Sequence, residues 1–252
     1  MTWLARRVLA EFVGTAFLVT SVVGSGIAAS RLSPGQVGLE LLENSIVTGA
    51  ALVALILALQ SVSAAFNPIV TLVERASGAI TTVTATALIA TQLVGGVFGS
   101  IVANLMFELP AVSISTHHRH GGGTLLGEVV ATLGLVLVIA GIGRSGRTDR
   151  VPYAVGAYIT AAYWFTSSTS FANPAVTVAR VFSNSFAGIA PASVALFVLM
   201  QLLGGLLGFG LVRSLYPPTV GPDVTVGPNT SSAAVSADGV VATRTAAERP
   251  RP

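Results

Sequence analysis

The 252-residue sequence contains no cysteine, and all 13 of its basic residues are arginine. The lack of cysteine excludes disulfide bonds and thiolate metal sites. Charged residues make up only 9% of the chain, far below the roughly 25% of soluble domains. The formal net charge of +3 is small and falls on no continuous basic face, so nothing indicates a nucleic-acid partner.

The chain is instead rich in apolar residues, which make up 52% of it, and its mean hydropathy is +0.80. This composition predicts an integral membrane protein, in which a span needs about 20 mainly apolar residues. Six runs predict spanning helices, at about residues 8–29, 43–61, 80–107, 124–143, 151–167 and 188–212. We therefore predict one membrane domain over residues 1–216 and a disordered tail over residues 217–252, which are rich in Pro, Thr, Ser, Ala and Gly.

A short motif occurs twice between the predicted spans, as Asn67-Pro68-Ile69 and as Asn173-Pro174-Ala175. Asparagine is a favoured N-cap and proline a favoured first helical residue, so each copy predicts the start of a helix. The two helices, at about residues 68–77 and 174–183, cannot cross a membrane, because ten residues rise only about 15 Å.

The motif belongs to a larger repeat, with halves at about residues 5–108 and 124–213. Glu11 in the first span of one half matches Glu128 in the other, and a Gln-x-x-Gly-Gly segment begins at Gln92 and again at Gln201. Each half has three spans, an odd number, so the halves must cross the membrane in opposite directions. The glycines of the two segments predict close helix packing: Gly95, Gly99, Gly204 and Gly208.

The arginine distribution predicts the orientation. One side of the predicted topology carries Arg6, Arg7, Arg75, Arg144, Arg147, Arg150 and Arg213, and the other carries Arg31, Arg119 and Arg180. Because cytoplasmic loops are richer in basic residues, both termini are predicted to be cytoplasmic. We expect a multi-pass protein of the cell membrane.

Two short helices that enter from opposite faces bring Asn67 and Asn173 together near the midplane. Non-helical backbone at this depth is tolerated only where protein shields it or where it lines an aqueous cavity. Both positive helix ends point at the same place, which opposes cations and protons, whereas a neutral solute can accept hydrogen bonds from the two amides. The repeat therefore predicts a pore.

These residues resemble the aquaporin and aquaglyceroporin family (major intrinsic proteins) over about residues 5–215. The resemblance rests on the two Asn-Pro boxes, on Ala10-Glu11-Phe12 followed by Gly14-Thr15, on Glu128 and on the Gln-x-x-Gly-Gly segments. It implies an all-α membrane protein with six transmembrane helices and two re-entrant half-helices in an inverted repeat. It also implies a homotetramer with a passive channel for neutral solutes and water in each subunit, without enzymatic activity, cofactor or metal.

The sequence departs from the family at the filter on the outer side. The family usually has arginine three residues after the second asparagine, where this chain has Val176. Spacing from the boxes maps the other filter positions to Val47 or Thr48, Ala161 and Ser170. All of these side chains are small and uncharged, which predicts a wide, weakly polar filter that passes solutes larger than water.

The segment 169–177 also resembles a bacterial branch of the family that is linked with arsenic-resistance operons. This implies metalloid hydroxides such as arsenite, or glycerol-like polyols, as solutes. A water-selective channel is the alternative. A secondary transporter also fits an inverted repeat, but it would need buried charges beyond Glu11 and Glu128.

The remaining polar residues have two interpretations each. We interpret Glu11 and Glu128 as supports for the re-entrant loop of their own half, with a proton relay as the alternative. His117, His118 and His120 are interpreted as part of a solvated loop, with a metal or pH-sensing site as the alternative.

Overall fold

The computed structural model describes residues 1–216, which are helical without any β-strand. Eight α-helices within these residues form two sets of four: α1 (Trp3–Leu32), α2 (Val37–Leu59), α3 (Pro68–Ala76), α4 (Thr82–Met106), α5 (Gly122–Arg144), α6 (Val151–Phe165), α7 (Pro174–Ala179) and α8 (Pro191–Leu215). One 3-10 turn precedes α6 at Thr148–Arg150, and another follows α7 at Arg180–Phe182. The predicted tail, residues 217–252, lies outside the described residues.

Five helices, α1, α2, α4, α5 and α8, are long and apolar enough to cross a membrane. The sixth, α6, has 15 residues and rises about 22 Å. The 3-10 turn before it adds about 6 Å, which brings this segment close to the roughly 30 Å of a hydrocarbon core. The six predicted spans are therefore helices, although α1 starts at Trp3 rather than 8 and α2 at Val37 rather than 43. In both helices the first turns contain charged residues, so the helix begins before its apolar run.

The short helices α3 and α7 have nine and six residues, so neither can cross the membrane. The second one ends earlier than predicted, because the backbone tightens into the 3-10 turn after Ala179. Each short helix is the third element of its set, and the structure is an inverted repeat of two such sets.

Glycines allow the long helices of each set to pack closely. Helix α1 lies along α4, and α5 lies along α8. A Cβ atom on Gly95 would stand 2.6 Å from the carbonyl oxygen of Phe12, and one on Gly204 would stand 2.5 Å from that of Val129. The close packing predicted from the repeated glycines is confirmed.

The two membrane faces of the protein differ in which segments lie at them. Helix α1 begins and α8 ends at one face, which we call the terminal face. Residues 107–121, between α4 and α5, lie at the opposite face, which we call the loop face. By the direction of the chain, α3 returns to the terminal face and α7 to the loop face.

Candidate functional site

Each short helix begins at the asparagine that the sequence predicts. The Asn67 Oδ1 atom accepts a hydrogen bond from the Ile69 amide at 2.9 Å, and Asn173 Oδ1 accepts one from the Ala175 amide at 3.0 Å. Proline follows each asparagine at the first helical position, where no N–H is required. The side chains thus stabilise two helix N-termini deep inside the protein.

The two asparagines also bind across the halves. Asn67 Nδ2 donates to the carbonyl oxygen of Ala172 at 2.8 Å, and Asn173 Nδ2 donates to that of Phe66 at 2.8 Å. Each acceptor precedes the other asparagine, so the pair of bonds is reciprocal. Because each amide nitrogen carries two hydrogens, each asparagine keeps one further N–H for a solute.

A buried carboxylate holds the second re-entrant loop. Glu128 accepts hydrogen bonds from the amides of Phe171 and Ala172 at 2.9 and 3.0 Å and from Gln201 Nε2 at 2.6 Å. Gln201 Nε2 also donates to Thr177 Oγ1 at 2.8 Å, which connects α8 to α7. The carboxylate is fully buried, and its partners are backbone and amide donors of its own half.

The first half repeats this arrangement. Glu11 accepts from the amides of Ala65 and Phe66 at 2.8 and 2.7 Å and from Gln92 Nε2 at 2.7 Å. Gln92 Nε2 also donates to Thr71 Oγ1 at 2.9 Å. These contacts are the ones expected of the predicted loop supports.

The loops need this support because their backbone is strained. Phe66 and Ala172, the residues before the two asparagines, both have a φ angle of 48°. Thr169 and Ser170 also have positive φ angles, of 61° and 48°. Such conformations cost a non-glycine residue about 1–3 kcal/mol and persist only where surrounding contacts hold them.

A cavity of about 280 Å³ lies between the two halves and includes both asparagine side chains in its wall. Its other wall residues recur at every fourth position of a helix, as one helix face requires: Thr48, Leu52 and Ile56 on α2, and Val151, Val155, Ile159 and Tyr163 on α6. The wall is largely aliphatic, with a few polar groups that can orient a solute.

The third residues of the two boxes face away from this cavity. Ile69 packs towards α8, where a Cβ atom on Gly205 would stand 2.6 Å from its Cγ2 atom. Ala175 is fully buried, and its carbonyl oxygen faces Gly96. The larger side chain of Ile69 is therefore accommodated by a glycine and does not narrow the cavity.

The predicted filter positions divide into two groups. Thr48, Ser170 and Val176 line the cavity, and each is at most 6% exposed. Val47 is 42% exposed, and Ala161 is exposed as well, so both lie on the outer surfaces of their helices. The structure corrects these two positions, because a shift of one or two residues moves a side chain to another face of a helix.

Sequence reasoning missed two residues of the same wall. Tyr163, rather than Ala161, faces the cavity from α6, and its hydroxyl lies 3.1 Å from Thr48 Oγ1. Arg180, one helical turn after Val176, also lines the cavity. The cavity wall around the predicted filter positions is therefore neither uniformly small nor uncharged, which differs from the prediction for those positions. A four-residue spacing is the sequence signal that indicates both residues, because it places Tyr163 on the same helix face as Ile159 and Arg180 on the same face as Val176.

The family model of the major intrinsic proteins matches residues 2–171 and 143–247. The chain belongs to the major intrinsic protein family. Like other members of this family it is a membrane-embedded passive channel with several spans, and it is not an enzyme.

Two curated relatives and one solved structure agree with this assignment. An aquaglyceroporin, AqpS, of Rhizobium meliloti (strain 1021) is 48% identical over 217 residues, 85% of this chain and 92% of the relative. Aquaporin Z of Photorhabdus laumondii is 26% identical over 231 residues, 84% of this chain and 97% of the relative. The X-ray structure of the Plasmodium falciparum aquaglyceroporin superposes with a TM-score of 0.65 at 18% identity, covering 87% of this chain and 98% of that one, and shows the shared fold.

The channel has different charges at its two ends. Glu74, at the terminal end, lines the cavity together with Gln60 and Thr148. Its Oε2 atom lies 3.7 Å from Arg7 Nη2, so the acidic charge at this end is paired. Arg180 carries the charge at the loop end.

The segment at the loop face is fixed on the second half of the channel. Arg119 donates from Nε to the carbonyl oxygen of Gly188 at 2.9 Å, and its guanidinium lies 4.9 Å from the Phe171 ring centroid. Burial, together with the positive charges of Arg119 and Arg180, lowers the pKa of His117 from its usual 6.5. Within residues 1–216, no three His, Asp or Glu side chains are grouped as metal ligands would be.

Proposed function

We propose that this channel conducts small uncharged solutes, namely glycerol-like polyols or metalloid hydroxides such as arsenite, together with water. The observation that carries this proposal is the side chain of Val176. It lines the cavity where a water-selective member of the family would usually have arginine. The relative named an aquaglyceroporin, at 48% identity, supports the same solute class.

In this proposal the remaining N–H groups of Asn67 and Asn173 donate to the oxygen atoms of the passing solute. Thr48, Ser170 and Val176 form part of the filter, and Val176 contacts carbon or other apolar parts of the solute. A solute larger than water gains from both kinds of contact, because burying apolar area is favourable and buried hydroxyl groups require partners.

We further propose a homotetramer in the cell membrane with both termini in the cytoplasm. The family resemblance supports the tetramer. The arginine excess at the terminal face supports the orientation, since seven arginines lie on that side of the topology and three on the other.

A solute panel on the purified full-length protein in lipid vesicles tests this function. We expect glycerol and arsenite permeability at least about tenfold above empty vesicles, with no accumulation against a gradient. Val176→Arg should lower the glycerol permeability several-fold and leave water permeability largely intact, because a guanidinium fills the filter.

Three outcomes would contradict the proposal. Conduction of water alone would favour the water-selective alternative. Concentrative uptake driven by a proton gradient would indicate a transporter. A Val176→Arg channel with unchanged glycerol permeability would remove Val176 from the filter.

A further inference from the structure

Arg180 is a buried cation in the wall of the channel. It is 1% exposed and lies four residues after Val176, about 6 Å further along the half-helix towards the loop face. It lines the same cavity as Val176 and Tyr163. The chain thus has a guanidinium near the filter, although not at the position that the family uses.

Two contacts fix the plane of this guanidinium. Arg180 Nε donates to the carbonyl oxygen of Ala187, and its guanidinium carbon lies 3.5 Å from the centroid of the Phe171 ring. Phe171 is itself held, because its amide donates to Glu128 and its ring meets that of Phe197 at 5.2 Å. A planar cation stacked on an aromatic ring keeps its orientation.

Among the described residues Arg180 forms no direct ion pair, although the Glu128 carboxylate acts on its charge from a distance. Within residues 1–216 the ion pair that forms joins Arg7 to Glu74, at the opposite end of the cavity. Arg180 Nε donates to a carbonyl oxygen and the Tyr163 hydroxyl lies beside the guanidinium, but neither group carries a negative charge. An unpaired buried charge is costly, so its presence in the cavity wall points to a role towards the lumen.

We propose that Arg180 is the selectivity-determining residue at the loop end of the channel, where it excludes cations and donates hydrogen bonds to uncharged, oxygen-bearing solutes. This inference rests on the proposed function. It adds a filter residue that cannot be identified from its spacing to the two Asn-Pro boxes. Tyr163 lies beside Arg180 and adds a hydroxyl that is bonded to Thr48.

The guanidinium lies one helical turn beyond the position at which the family usually has arginine. The solute path therefore has polar and apolar levels in succession. The amides of Asn67 and Asn173 form one polar level, Val176 contributes an apolar wall next to it, and Arg180 with Tyr163 forms a second polar level. A polyol can bond to both polar levels while its carbon atoms contact Val176. A water molecule beside Val176 has fewer partners, which favours the polyol.

Full-length Arg180→Gln in vesicles tests the assignment. We expect the sodium leak to rise at least about tenfold while glycerol still passes, because the positive charge that repels cations is removed from the cavity wall. Arg119→Gln is the matched control, since Arg119 also donates to carbonyl oxygens and lies over Phe171 but is outside the cavity wall. Its sodium leak should stay within about twofold of the unmodified channel.

Arg180→His tests the same assignment by a change of pH, so that the charged and neutral states are compared in one folded protein. Histidine is charged at pH 5 and neutral at pH 8, so the sodium leak should be several-fold larger at pH 8. The unmodified channel, which contains His117 nearby, is measured over the same range as the control and should show no such change.

Sodium exclusion by a folded Arg180→Gln channel, a flat pH profile for Arg180→His, or an equal leak in Arg119→Gln would overturn the assignment. These results leave the proposed function intact, because glycerol permeability of the unmodified channel is measured separately. An unmodified protein that conducts neither glycerol nor arsenite would contradict the proposed function itself.

Discussion

At the level of single residues, the two fully buried glutamates differ from the exposed acidic residues in what surrounds them. Glu128 and Glu11 are each fully buried, and each accepts hydrogen bonds from two backbone amides and one glutamine. A carboxylate can accept all of these bonds at once, because both of its oxygens are acceptors. An amide of the same shape cannot, since one of its two positions is a donor.

Glu128→Gln should therefore destabilise the folded channel by about 1–3 kcal/mol, the cost of a buried donor without an acceptor. Thermal unfolding of the purified protein measures this change. Glu108→Gln is the control, because Glu108 is exposed, and its effect should stay within about 0.5 kcal/mol. Unchanged stability together with altered proton permeability would instead favour the proton relay.

The sequence predicts which residues begin the half-helices better than it predicts the channel wall. Asn67 and Asn173 are identified by local chemistry, because N-capping requires only neighbouring residues. Thr48 and Tyr163 depend on how α2 and α6 are rotated about their axes, and this rotation is set by packing of distant segments. Spacing from the two Asn-Pro boxes therefore selects Ala161 instead of Tyr163, and it does not select Arg180.

At the level of helices, the two close-packed pairs depend on glycines whose missing side chains allow contact with backbone. In α8, Gly204 meets Val129 of α5, whereas Gly210 has open space around its Cα atom. The two glycines lie in the same helix, and they differ in what a methyl group would contact.

Gly204→Ala should destabilise the protein by about 1–3 kcal/mol, because the added methyl group would force α5 and α8 apart. Gly210→Ala should be neutral or stabilising by up to about 1 kcal/mol, since alanine is the better helix former and meets no other atom. Comparison of the two melting temperatures checks both expectations. Equal effects would mean that helix propensity, rather than close packing, governs these positions.

Helix existence was predictable throughout the described residues, whereas helix ends were less so. Long apolar runs identify α1, α2, α4, α5 and α8, because few other structures bury a continuous apolar segment in lipid. The predicted start of α2 is too late, because hydropathy excludes its first turns, which contain Glu40 and Glu43. Glu40 is buried and accepts a hydrogen bond from the Gly35 amide, a contact that hydropathy does not reveal.

At the scale of the whole molecule, the absence of cysteine allows a direct test of orientation. A single cysteine introduced by substitution is then the only thiol in the chain, so its labelling by a thiol reagent shows on which side of the membrane it lies. Ser145, after α5, is exposed at the terminal face, and His118 is exposed at the loop face. Arginine placement assigns the terminal face to the cytoplasm.

We expect a membrane-impermeant maleimide to label His118→Cys in intact cells and to label Ser145→Cys only after permeabilisation. The cysteine-free chain provides the control and should remain unlabelled. The opposite labelling pattern would reverse the proposed orientation, while leaving the channel and its filter unchanged.

The reciprocal bonds of the two asparagines also have a consequence for synthesis on the ribosome. The carbonyl oxygen of Phe66 receives its hydrogen bond from a residue 107 positions later in the chain. At about 5–20 residues per second, the ribosome needs on the order of 5–20 s to add that length. During this interval the first re-entrant loop lacks its final partners, and unpaired backbone groups are costly in lipid. The pore can therefore close around its centre only after the second half has been translated, so its maturation is one late event and not two successive ones.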